Sequence, residues 1–176
     1  TVSGAFDQGD DPAYAGITVT RNPVPVLITC DKPINSGPQH FVVNAAFAVL
    51  QQCIATGVPP ASAPRMSVAG SPPAYVTDTH GNVLGGIRTP SLDAPIATLS
   101  GSGQSGSIDS IANSGESFCF LFGTTTMFDN ATLKRLYPTH ASYVDAVSAA
   151  SDNAVAQGHL LAPDAALIKQ AAQAST

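Results

Sequence analysis

The sequence predicts a mixed α/β chain in which the helices outnumber the strands available to support them. Three observations predict this. Apolar residues recur at helical spacing over residues 35–58 and again over 129–176. Short runs rich in β-branched residues, bounded by Pro, Gly, Asn and Asp, lie before and between these stretches. Those runs are too few and too short to make a complete sheet for the helices. The expected organisation is part of a single domain: an irregular opening segment over 1–34, a helix over 35–58, a connector with hairpin and loop over 59–128, and a helical C-terminus over 129–176.

Taken in order, DQGDDP reads as a turn, ITVT as a short strand before RNPVP, and VPVLIT (24–29) as a brief strand or an extended Pro-flanked run. Asn35-Ser36-Gly37-Pro38 reads as a helix start. Phe41, Ala45, Ala48, Val49, Gln52 and Cys53 follow at helical spacing until Gly57-Val58-Pro59-Pro60 ends the pattern. From Pro59 to Pro73 the Pro, Ala and Ser content predicts an extended surface connector. AYVTD and NVLGGIR then flank Thr79-His80-Gly81, which predicts a β-hairpin turning near His80 to Asn82. IATLSG is a further strand, residues 101–117 a flexible polar loop, and FCFLFG an apolar strand or buried segment. Asp129 or Asn130 caps a short helix through Tyr137 and Thr139 caps the next, with Tyr143, Val144, Val147, Ala150, Ala154 and Val155 facing inward up to Gly158. Pro163-Asp164 opens a last helix with Leu167, Ile168 and Ala171 inward.

Composition narrows the function classes. A net charge of -5, with 7 Lys plus Arg spread singly, offers no basic stripe to neutralise a phosphate backbone, so nucleic acid is not an expected partner. Charged residues make up 11% of the chain, against about a quarter in an ordinary soluble domain. That shortfall predicts a surface partly covered by another polypeptide. No apolar run is long enough to span a bilayer, and the first ten residues, TVSGAFDQGD, lack the basic and apolar regions of a signal peptide.

Three cysteines permit one internal disulfide with one left over, or none. Cys30 and Cys53 bracket the first helix and could be joined if the chain folds back, whereas Cys119, between phenylalanines, reads as a buried thiol or a bridge to an absent segment. Asn130-Ala131-Thr132 is a glycosylation sequon, meaningful if the protein is secreted, and it tilts the open question of localisation that way. His40, His80, His140 and His159 match no zinc template, so neither a metal nor another cofactor is expected. Arg88 and Asp93 are the charges of an otherwise apolar stretch, GGIRTPSLDAPIA. Burying either alone is costly, so they are expected to pair with each other or with a second chain. A structural clamp is the reading preferred over a substrate-carboxylate site for Arg88.

Three segments then align with one family. NSGPQHFVVNAAFAVLQQCIATGVPPASAPRM (35–66), GNVLGGIRTPSLDAPIATLSG (81–101) and CFLFGTTTMFDNATLKRLYPTHASYVDAVSAASDNAVAQGHLLAPDAALIKQAAQAS (119–175) resemble, in order and spacing, the C-terminal part of a large group of α/β-hydrolase domain proteins. The family's usual tryptophan, in a segment like aLxxWvxxGtpPP, is replaced here by Gln52-Cys53-Ile54, so packing around it must differ. The resemblance implies the C-terminal part of an α/β-hydrolase fold with an incomplete sheet. It places the nucleophilic serine and the triad acid upstream, and the family's own histidine just before residue 1.

The chemistry that follows is serine acylation, an oxyanion hole of backbone N–H groups and histidine-assisted attack of water on a small-molecule carboxylic ester. No G-x-S-x-G elbow occurs; Gly103-Gln104-Ser105-Gly106-Ser107 comes near but has serine at the last position. His40, beside Asn35, Ser36 and Gln39, is the candidate base or pocket-lining group contributed by this chain, with Asn35 and Gln39 as pocket or structural residues. The implied partner is the upstream portion or a second chain of the same hydrolase. Two other readings stand beside it: an N-terminal-nucleophile hydrolase using Thr1, and a non-catalytic interaction subunit.

Overall fold

A computed structural model describes residues 16–21, 24–108 and 118–175. Two compact units emerge, Thr1–Gly37 with Ala97–Met127, and Pro38–Ile96 with Phe128–Thr176.

The first unit is built of strands. β1 (Gly16–Arg21) pairs antiparallel with β2 (Val24–Cys30) in a register running from Gly16 opposite Thr29 to Arg21 opposite Val24. Both coincide with the ITVT and VPVLIT runs. In the second unit α1 (Gln39–Thr56), β3 (Val68–Ala69), β4 (Ala74–Tyr75) and α2 (Pro90–Asp93) follow in sequence. The chain then returns to the first unit with β5 (Ala97–Ser100), β6 (Gly106–Ile108) and β7 (Thr124–Met127). β6 pairs antiparallel with the end of β2, and β5 pairs antiparallel with β7, Ala97 lying opposite Met127. Among the described residues the sheets are therefore one of three strands and two of two strands, all antiparallel.

Two sequence expectations are corrected in this unit. FCFLFG is not a strand: Phe118–Leu121 forms a single 3-10 turn, with Phe120 and Leu121 about 60% exposed. The strand lies after it, in the threonine run, because Thr125 hydroxyl donates to the Ile34 carbonyl and accepts from the Ser36 N–H, tying β7 to the segment before α1. Gly123 is required there, since a Cβ would collide with the Ser100 carbonyl. The disulfide joins Cys30 to Cys119, 89 residues apart with Cα atoms 5.5 Å apart, and leaves Cys53 free. Cys30 is committed at the end of β2, so it does not fold back along α1. The polar loop expected over 101–117 contains β6, and residues 109–117 lie outside the described residues.

The second unit is mainly helical. α1 starts at Gln39 rather than Asn35, because Asn35 and Ser36 are held by the strands; it ends at Gly57, whose left-handed φ of 71° closes the last turn with an N–H bond to the Cys53 carbonyl. The expected hairpin of AYVTD with NVLGGIR is corrected: β3 and β4 pair around a turn at 70–73, inside the stretch read as a connector, while NVLGGIR forms no strand and only a single bridge from Thr77 to Val83 brackets the turn at His80 to Asn82. Asp78 carboxylate organises that turn by accepting from the His80 and Asn82 N–H groups.

α3 (Asn130–Leu136) is capped by Asp129, and α4 (His140–Ala156) by Thr139 in a reciprocal capping box with Ser142. α5 (Ala162–Ala174) has proline in its first turn. The core lies where α4 meets α2 and α5. Ala94, Val147, Ala150 and Ala172 are buried with Tyr143 and Ile168 against them; Ala154, Leu160 and Ala165 form a second cluster with Phe41 and Val155. The small residues let α4 and α5 approach closely. The inward set of α5 is Ala165, Ile168 and Ala172, not Leu167 and Ala171, which are exposed.

Candidate functional site

Arg88 lies in the connection just before α2, whose N-cap Thr89 and first residue Pro90 are buried. Its Nε donates to Asp93 Oδ1 at 2.7 Å, Nη1 to the Val83 carbonyl at 3.1 Å and Nη2 to the Leu92 carbonyl at 2.9 Å. Both side chains of the ion pair keep about a quarter of their surface in water. Three edges of the guanidinium are thus spent on the protein itself, two of them on main-chain carbonyls. This geometry suits a clamp that fastens the loop at Val83 to α2.

Gln39 and His40 stand exposed on the first turn of α1. The His40 ring packs on Phe41 with centroids 3.8 Å apart, and no described carboxylate orients it. A general base needs such an orienting group, so His40 as it stands is a surface imidazole. Asn35 belongs to the other unit, where its amide is spent: Nδ2 donates to the Ser100 carbonyl and Oδ1 accepts from Gly37 N–H. Ser105 precedes β6 rather than a helix, so it has none of the strand-to-helix geometry that exposes a nucleophile. Thr1 lies outside the described residues.

Sequence reasoning missed two polar arrangements. Tyr137 and Tyr143 meet edge to face at 5.1 Å, and Tyr137 hydroxyl donates to the Pro95 carbonyl. Burial first, and the neighbouring Tyr143 second, push the Tyr137 phenol up to about 12, and burial also raises Tyr143. Their spacing of six gives no periodic signal. His140 Nε2 lies 3.0 Å from the Ala172 carbonyl and 3.3 Å from Ser175 Oγ. Facing a carbonyl, that nitrogen carries the proton, so it does not serve as a base toward Ser175; the contact ties α4 to the end of α5. Among the described residues no group of three or more His, Cys, Asp or Glu could hold a metal ion, and no helix is long and apolar enough to cross a membrane.

One exposed stripe is apolar. On α1, Val43, Phe47, Leu50 and Ile54 are 41%, 63%, 53% and 77% exposed. They recur at helical spacing along one stripe of a helix that carries no Asp, Glu, Lys or Arg. Comparison with protein families gives a match to a model of the alpha/beta hydrolase domain over residues 5–170. The chain belongs to the alpha/beta hydrolase domain family. No curated protein and no solved structure matches it. In an alpha/beta hydrolase domain, helices lie on a largely parallel sheet; the described strands pair only antiparallel, and α1 keeps its apolar stripe exposed.

Proposed function

We propose that this chain is the C-terminal part of a serine ester hydrolase, a domain whose nucleophile and triad acid are carried outside these residues, by an upstream portion or a second chain. The observation that carries the reading is the uncovered stripe of Val43, Phe47, Leu50 and Ile54 on an uncharged helix. Fully burying a side chain of this kind contributes about 1.5–3 kcal/mol, and covering the exposed 41–77% of each of these four gains a corresponding share, enough together to make a docking face for the rest of a hydrolase core. The lack of a G-x-S-x-G elbow agrees with a nucleophile supplied from elsewhere. In this arrangement the hairpin and C-terminal helices form a cap, Arg88 and Asp93 hold its shape, and Gln39 and His40 line the rim of the ester pocket. The chemistry is acyl transfer to serine followed by hydrolysis.

A fluorophosphonate probe tests this. The expected result is no labelling of residues 1–176 alone, and labelling of a serine outside them in the longer polypeptide or complex. Labelling of Ser105, or ester hydrolysis by this chain alone that depends on Thr1, overturns the proposal. Within the active assembly, His40→Ala should raise KM more than it lowers kcat, as fits a pocket-lining side chain.

A further inference from the structure

Asn130-Ala131-Thr132 is the one Asn-x-Ser/Thr sequence of the chain. Its asparagine opens α3 and stands exposed, with exposed Ala131 and Lys134 beside it on the same short helix. The helix does not need the Asn130 amide: the cap is Asp129, whose Oδ1 accepts from Thr132 N–H at 2.7 Å. That bond, with the help of Arg135, holds the Asp129 carboxyl below its usual range.

A second and independent observation concerns the compartment. Cys30 and Cys119 are 4% and 0% exposed and bonded to each other across 89 residues. Stable buried disulfides of this kind mark chains that mature in an oxidising lumen or outside the cell, the same route along which sequons are modified. The chain also has few charges, 11%, for its exposed apolar surface, and a glycan is a bulky solubilising group that adds no charge.

We propose that Asn130 is an N-glycan acceptor, modified on the route that forms the Cys30–Cys119 bond. In the transfer, Asn130 Nδ2 bonds to the anomeric carbon of an oligosaccharide carried on a lipid pyrophosphate. The anomeric C–O bond breaks, the lipid pyrophosphate leaves with its electron pair, and one amide proton is lost. The glycan marks the α3 surface as one that stays in water when the α1 stripe is covered.

The test is peptide mapping of the full chain made in a eukaryotic secretory host, with cell and medium fractions pooled. The expected result is a glycan on the Asn130 peptide, released by peptide-N-glycosidase F with an aspartate left at that position, in molecules that carry the Cys30–Cys119 bond. Asn130→Gln and Thr132→Ala should abolish the glycan, while Thr132→Ser should keep it. Chains that form the bond and leave Asn130 bare, or glycosylated chains that never form it, overturn the proposal.

Discussion

α1 and α4 are helices of 18 and 17 residues with similar shares of apolar side chains, yet they meet opposite fates. α4 buries Val147, Ala150, Ser151 and Ala154 against α2 and α5. α1 buries Ala45, anchors its first turn through Phe41, and leaves its larger side chains in water. The difference lies in side-chain size. α4 and α5 meet through alanines, whose small volume allows close approach and a self-contained seam. The stripe of α1 is made of Val, Phe, Leu and Ile, which need a broad apolar surface such as a sheet face. One helix finishes its packing inside its own unit; the other carries a stripe of large apolar side chains that stays exposed.

The most damaging way to break the contrast is to put a charge in the seam. Val147→Asp leaves an unpaired carboxylate at a position 3% exposed, and should cost about 3 kcal/mol or more, enough to abolish cooperative unfolding of the helical unit. Urea titration followed by far-ultraviolet circular dichroism checks this. A loss under 1 kcal/mol would mean that α4 is as loosely held as α1.

A smaller effect is expected at the clamp. α2 brings Ala94 to the α4 seam, and Arg88 holds α2 through Asp93 and Leu92. Arg88→Ala should cost about 1–2 kcal/mol, discounted for partial exposure. Arg88→Lys should recover little of it, because an ammonium cannot reproduce three diverging bonds. In the active assembly the same change should leave substrate preference alone; altered preference with unchanged stability would make Arg88 a binding residue.

What the sequence made legible was local. The caps at Asp129 and Thr139 and the stops at Gly57 and Gly158 depend on neighbours within a turn, and α1, α3, α4 and α5 are found near their expected places, whereas the short α2 was not foreseen. Arg88 and Asp93 lie five residues apart, so their meeting was one of the two outcomes that charge burial allowed. The misses are non-local. Cys30 finds Cys119 because β2, β6 and the 3-10 turn come together, which no spacing encodes. Thr124–Met127 carries no apolar alternation, and its strand is set by partners at Ile34 and Ser100. FCFLFG shows the ambiguity of any short apolar run. His40 has a sequence context but no partner geometry, so its role depends on what covers α1.

The tyrosine pair gives a milder, pH-controlled probe of the α4 side. In the unfolded chain the phenol of Tyr137 titrates near 10, whereas in the fold it is pushed up to about 12, and Tyr143 is raised as well. Both stay neutral in the fold after the unfolded chain has begun to ionise. Their stabilising contribution is therefore complete below pH 10 and is lost as the pH rises toward about 12. Tyr137→Phe should flatten the alkaline decline measured by urea midpoints from pH 9 to pH 12. An unchanged decline would place its cause elsewhere.

The smallest effect is the most telling for α1. Phe47 is 63% and Leu50 53% exposed, so Phe47→Asp or Leu50→Asp should change the stability of this chain alone by no more than about 0.5 kcal/mol while raising its solubility. The same substitutions should prevent assembly with the proposed remainder of the hydrolase, because there they would bury a carboxylate on an apolar face. Unfolding of the isolated chain and co-purification with the remainder give the two readings. A change that unfolds the isolated chain would mean that the stripe already packs within it, and the contrast with α4 would disappear. A change that leaves both stability and assembly intact would mean that the stripe is ordinary exposed apolar surface, and the case for a covering core would go with it.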